Sequence, residues 1–195
     1  MHEQSLSLAI QLKITLSGIQ PAVWRRVLVP SLLDLRKLHT VIQEVFGWED
    51  YHIHAFQIRG ESYGPEDTSS RSSPLREAVN LARLRLLPGE TFTYEYDLGD
   101  SWVHELAVEE IMVITEPLQA PLCLDGQRAC PPEDSGGPLG FPDRLEAARN
   151  PRHPDHKAAL EFFEPDWDSE AFDLTSVNAR LQKTFASKTR KARSR

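Results

Sequence analysis

Leu6-Ser-Leu-Ala-Ile-Gln-Leu-Lys-Ile-Thr-Leu16 decides how the rest of the chain is read. Leu6, Leu8, Ile10, Leu12, Ile14 and Leu16 alternate with Ser7, Ala9, Gln11, Lys13 and Thr15. Successive strand side chains point to opposite faces, so a period of two over this stretch predicts a half-buried strand. Gly18 to Pro21 turns the chain, and Ala22 to Val29 continues the pattern. There Trp24, Arg26 and Leu28 share one face, with Val23, Arg25, Val27 and Val29 on the other. Pro30 closes this antiparallel hairpin. A two-stranded ribbon with an apolar face needs a covering layer.

The next segment supplies that layer. Leu35, Leu38, Ile42, Val45 and Phe46 fall at helical spacing, with Asp34 as N-cap and Gly47 where a left-handed C-terminal residue belongs. A strand follows over 52–59, with His52, His54, Phe56 and Ile58 on one face. Residues 60–74 read as a loop, and 75–87 as a short helix using Leu84 and Leu87 before Pro88-Gly89.

Residues 91–97 and 102–113 read as a second hairpin across Leu98-Gly99-Asp100-Ser101. A symmetric turn sets Glu95 opposite His104 and Asp97 opposite Trp102, leaving Phe92, Tyr94 and Tyr96 on the other side, with Gly99 at positive φ. From Glu116 to Pro154 eight of the 14 prolines accumulate, which predicts a long loop. Short helices are expected near 143–148, 155–163 and 175–184, the last capped by Thr175. The expected architecture is a single α+β domain over residues 1–182. It has a mostly antiparallel curved sheet, helices packed on one side and a proline-rich loop laid across it. Residues 183–195 form a basic tail without periodicity, expected to be disordered.

With 195 residues, 40% hydrophobic and 26% charged, the composition is that of a globular domain that needs no disulfide framework. No apolar run reaches the ~20 residues of a spanning helix, and Met1-His2-Glu3-Gln4 lacks a basic leader. A cytoplasmic protein without membrane association is expected, with Cys123 and Cys130 reduced. The net charge is −7. Six Lys/Arg and no acid fall in 183–195, so residues 1–182 carry −13. Between Arg85 and Arg128 there is no Lys or Arg and there are nine acids. Such a surface repels phosphate backbones and suits cations or basic partners.

Phosphate loops and dinucleotide, nucleophile-elbow and zinc-protease motifs are absent from the sequence. Three constellations remain. Trp24-Arg25-Arg26 offers a stacking and phosphate-binding group, with the tail as a second route to weak, salt-dependent nucleic-acid binding. His52 and His54, joined by Asp97, Asp100 and His104, offer nitrogen and oxygen ligands for a hydrolytic metal. Trp24, Arg25, Arg26, Glu95, Asp97, Asp100, Trp102 and His104 together form a candidate binding face on the sheet.

Five ordered blocks carry a family resemblance. They are Gln20-Pro-Ala-Val-Trp-Arg-Arg-Val-Leu-Val-Pro30; Leu38-His-Thr-Val-Ile-Gln-Glu-Val-Phe-Gly-Trp48 with His52-Ile-His54; Tyr94-Glu-Tyr-Asp-Leu-Gly-Asp-Ser-Trp-Val-His104-Glu; Arg128-Ala-Cys-Pro-Pro-Glu-Asp-Ser-Gly-Gly137; and Phe172-Asp-Leu with Val177-Asn178. In order and spacing, residues 8–182 closely resemble the plasmid pRiA-type open-reading-frame-three-like family. The resemblance implies one α+β domain carried by plasmids and mobile elements. Some members bear a resolvase-like label, but the serine, arginines and helix-turn-helix of a serine recombinase are not recognisable in this sequence. Relatives often carry a third cysteine where this chain has Ser135. The Pro131–Gly137 run is therefore read as a rigid structural loop in which Glu133 or Asp134 accepts backbone or arginine hydrogen bonds. The reading that follows is a non-catalytic module for a protein or peptide partner, requiring no cofactor. A metal-dependent hydrolase and a nucleic-acid binder are the alternatives.

Overall fold

The computed structural model describes residues 6–65 and 75–192, with the backbone alone at 75–76 and 187–192. Its elements are β1 (Ser7–Leu16), β2 (Trp24–Pro30), α1 (Leu35–Phe46), β3 (His54–Ile58), β4 (Glu61–Gly64), β5 (Leu75–Arg76), α2 (Leu81–Leu84), β6 (Thr91–Tyr96), β7 (Trp102–Ile114), β8 (Leu122–Gln127), α3 (Gly137–Arg149), α4 (His156–Phe162) and α5 (Leu174–Ala192). The strands form one sheet in the order β5-β4-β3-β6-β7-β1-β2-β8. Every pairing is antiparallel except that of the two-residue β5 with β4. This is an α+β fold, as the alternating patterns imply. Among the described residues no helix is long and apolar enough to cross a membrane.

Alternation sorts the sheet into two faces. Ile10, Leu12, Ile14 and Leu16 of β1, Val27 and Val29 of β2, and Leu106 and Val108 of β7 are buried together with Leu35, Leu38, Val41, Ile42 and Val45 of α1. Each full burial is worth about 1.5–3 kcal/mol relative to exposure, enough to fix which face turns inward. The alternation does not hold to the start of β1, where Leu6 and Leu8 are exposed. Helix α1 has the expected ends. Asp34 Oδ1 accepts from the Lys37 amide at 2.8 Å, and Gly47 adopts φ 85°.

A bulge in β7 sets the outer face. Gln11 pairs with Glu110 and Leu12 with Val108, so Glu109 is the extra residue. A bulge re-aims side chains. Here Glu109 accepts from Gln11 Nε2 at 2.7 Å and from Arg26 Nε and Nη2 at 2.6 and 2.9 Å.

Several expectations are corrected. In the second hairpin Tyr94 pairs with His104, Tyr96 with Trp102 and Glu95 with Val103, so Glu95 does not oppose His104 and Asp97 does not oppose Trp102. A one-residue slip moves every side chain to the other face, and burial decides it. Phe92, Tyr94, Tyr96, Trp102, His104 and Leu106 all lie inside. The turn therefore spans residues 97–101. Its positive-φ residues are Asp97 (56°) and Ser101 (54°), not Gly99.

The proline-rich segment is not one loop. It contains β8, an edge strand paired with β2, and α3, whose Pro138 lies in the first turn, where a missing amide costs no helical bond. Residues 60–74 have the composition of a loop, but β4 occupies part of that range, and 66–74 lie outside the described residues. Helix α2 is capped by Asn80 and stops at Leu84, leaving Leu87 exposed. His52 precedes β3 rather than lying in it. The tail expected to be disordered from residue 183 is helical to Ala192, continuous with a helix whose Leu181 and Phe185 are buried. Lys, Arg and Ala are good helix formers, so the helix runs on where apolar periodicity ends.

Candidate functional site

Strand alternation divides Trp24-Arg25-Arg26. Trp24 and Arg26 reach the outer face, where the Lys13 and Arg26 cations lie 5.1 and 5.2 Å from the Trp24 ring. Arg26 is committed to Glu109, with Asp125 at 3.5 Å. Arg25 points into the core and is 3% exposed. Its Nε donates to Val45 O at 2.8 Å, Nη1 to Trp24 O at 2.8 Å and Gln127 O at 2.9 Å, and Nη2 to Arg128 O at 2.8 Å. The guanidinium lies 5.1 Å from the Phe46 ring and 4.5 Å from that of Phe172. Burial lowers its pKa, and carbonyl oxygens take most of its donors. Arg25 is thus a strut joining β2, the end of α1 and the end of β8.

Beside that strut lies a cleft of about 480 Å³ between the end of α1, residues 129–133 and the segment from Phe162 to Arg180. Its walls include Phe46, Trp48, Trp167 and Phe172, and Glu49, Glu133, Glu164 and Asp173 also line it. Trp48 stacks on Tyr96 (centroids 5.0 Å apart, planes at 23°) and donates Nε1–H to Pro131 O at 3.0 Å. Glu133 Oε1 accepts from Tyr96 Oη at 2.6 Å and from the Glu49 amide at 3.2 Å. The expected acceptor role of this loop is met at Glu133. The sequence names Phe46 as a helix residue and Trp48 and Phe172 within family blocks, but gives none of the aromatic lining residues a role in a site.

The predicted metal set is not assembled as one group. His54 stacks on His39, with centroids 3.6 Å apart and planes at 3°, and bonds Glu77. His39 bonds Tyr94 Oη at 2.7 Å and Asp50 Oδ1 at 2.9 Å. Burial first, then the neighbouring His54, pushes His39 down to about 4. An imidazole binds metal through a lone pair in its ring plane, and two parallel planes do not meet at one ion. His39, Asp50 and His54 therefore suit a hydrogen-bonded network. His104 is fully buried; its Nδ1–H donates to Trp102 O at 3.1 Å, and burial pushes it down to about 3. Trp102 lies in the core as well.

At the turn, Asp97 Oδ1 accepts from the amides of Gly99 (2.9 Å) and Asp100 (3.3 Å), and Asp100 Oδ2 accepts from the Gly136 amide at 2.9 Å. Glu95, on the outer side, accepts from Ser101 Oγ at 2.7 Å. His52 Nε2 faces Asp97 Oδ2 at 3.7 Å and Asp134 Oδ1 at 3.3 Å. Two members of the predicted set, His52 and Asp97, thus come together, and Asp134 joins them. The proposed binding face is not continuous: Trp24, Arg26 and Glu95 are outside, Arg25, Trp102 and His104 inside, and Asp97 and Asp100 at the turn.

Cys123 and Cys130 are free thiols, both raised by burial. Asn178 of α5 clamps β8 by accepting from the Cys123 amide at 2.8 Å and donating to its carbonyl at 2.9 Å. Ser135 is fully buried and donates to Pro132 O at 2.7 Å, which holds the 131–136 loop in shape.

Comparison with known proteins agrees with this architecture. "Uncharacterized protein y4hQ" of Sinorhizobium fredii (strain NBRC 101917 / NGR234) is 34% identical over 187 residues, spanning 94% of this chain and 96% of that protein. The crystal structure of a protein of unknown function, MM3350, from Methanosarcina mazei Go1 superposes with a TM-score of 0.79 at 31% identity. The match covers 89% of this chain and 98% of that one. The family model described as plasmid pRiA4b ORF-3-like protein matches residues 8–176, and the chain belongs to that family.

Proposed function

We propose that the domain is a non-catalytic binding module whose cleft takes a basic segment of a partner protein. The observation that carries this reading is the cleft's lining of aromatic faces beside four carboxylates, Glu49, Glu133, Glu164 and Asp173. The two arginines that line it are engaged elsewhere: Arg25 with four carbonyl bonds and Arg180 with Glu44 O. Aromatic faces attract cations, and carboxylates add charge complementarity, so a Lys or Arg side chain fits on both counts. Binding is favoured over covalent chemistry because burial holds the Cys130 thiol protonated and, with Glu133 next in weight, also raises the Tyr96 hydroxyl.

The test is tryptophan fluorescence of the full chain titrated with a synthetic peptide library. Peptides rich in Lys and Arg are expected to bind with Kd on the order of 1–100 μM, and their Glu-substituted counterparts not to bind. Glu164→Lys is expected to weaken binding about tenfold or more. A library without a basic binder, or an unchanged affinity in Glu164→Lys, overturns the proposal.

A further inference from the structure

We propose a second site, independent of the cleft: His52, Asp97 and Asp134 bind one divalent transition-metal ion, with zinc the best match. The three residues come from separate segments, namely the approach to β3, the β6–β7 turn and the loop after β8. One ligand atom from each lies within 4.8 Å of the other two.

His52 Nε2 is 3.3 Å from Asp134 Oδ1 and 3.7 Å from Asp97 Oδ2, and makes a hydrogen bond to neither. Two ligands about 2.1 Å from a tetrahedral zinc lie about 3.4 Å apart, between the two observed separations. The nitrogen is also orphaned: it has almost no solvent contact and no hydrogen-bond partner. Among the described residues, His52 is the sole ion-pair partner of either carboxylate. A cation among the three atoms gives the imidazole lone pair an acceptor and relieves the repulsion between the two carboxylates.

The supporting shell is in place. Asp97 Oδ1 is held by two turn amides, leaving Oδ2 to face His52. Asp100, accepting from the Gly136 amide, ties the turn to the segment that carries Asp134. Such outer bonds orient metal ligands. One nitrogen with two carboxylate oxygens suits zinc better than magnesium or calcium, which favour oxygen alone. A fourth position is left for water or for a group from a ligand.

The test uses the untagged full chain, stripped with chelator, dialysed, and titrated calorimetrically with zinc chloride at pH 7.5. One ion per chain is expected, with a Kd in the micromolar range or tighter and a higher melting temperature when loaded. Asp134 has a side chain 72% exposed and a φ of 57°, which asparagine tolerates. Asp134→Asn is therefore expected to keep the metal-free melting temperature while weakening zinc at least about tenfold, and His52→Gln to weaken it likewise. Less than about a tenth of an equivalent bound by the wild type overturns the site. So does zinc binding unchanged in Asp134→Asn, whatever His52→Gln does to folding.

Discussion

His104 and His39 are kept uncharged by the interior, at about 3 and about 4. Unfolded, each titrates near 6.5. Because the folded values are depressed, the unfolded chain binds more protons as pH drops below that value. Their contribution is complete above about 6.5 and is lost as pH falls toward the folded values. Unfolding free energy is therefore expected to fall between pH 7.5 and pH 5. In His104→Phe the fall should be smaller by ~2 kcal/mol, measured by denaturant titration at both pH values. An identical slope in the variant contradicts the assignment. At this scale the sequence was only partly legible. Alternation separates Arg25 from Trp24 and Arg26, but the binding face expected of all three does not form, because Arg25 is on the buried side. Its carbonyl partners come from residues 24, 45, 127 and 128, which no local pattern connects.

Elements defined by periodicity and caps were read well: β1 beyond its first residues, β2 and α1. Those rich in Gly, Pro and Asp were not. β8 and the first two turns of α3 are hidden in a composition typical of loops, and only the 143–148 part of that helix is legible, because the rest depends on pairing with β2 and on packing rather than on local preference. The hairpin register was missed because the left-handed residues of the turn are Asp97 and Ser101, which sequence gives no reason to favour over Gly99. The candidate cleft stayed hidden because its walls come from three segments distant in sequence. The His52–Asp97 pair was found, while Asp134 was assigned to a structural loop. Two glycines near the turn now have opposite expectations. A Cβ on Gly137, at φ 66°, would lie 2.1 Å from Asp100 O, whereas one on Gly99 would lie 3.2 Å from Asp97 Oδ1 at unexceptional φ. Gly137→Ala should cost more than about 2 kcal/mol and Gly99→Ala less than about 1, read from denaturant midpoints.

At the scale of the molecule, α5 ties the β8 edge of the sheet to α1, with Asn178 clamped to β8 and Thr184 Oγ1 donating to Glu44 of α1 at 2.6 Å. Its buried Phe185 lies past the boundary drawn from sequence at residue 182. Truncation after residue 186 is expected to leave the melting temperature within about 2 °C of the full chain. Truncation after residue 182 removes Phe185 and should cost about 3 kcal/mol. Equal stability of the two would contradict the docking of that turn. The strand order has a consequence for synthesis. In chain order β1 comes first among the strands of this sheet, and it pairs on one side with its immediate successor and on the other with β7, which ends at Ile114. At roughly 5–20 residues per second, the ribosome needs about 5–20 s after Leu16 to deliver that second neighbour. Through that interval the nascent chain carries a β-strand with one edge open to any other extended polypeptide. The seam with β7 is thus the last partnership β1 can make, and cellular holding factors have the longest access to it.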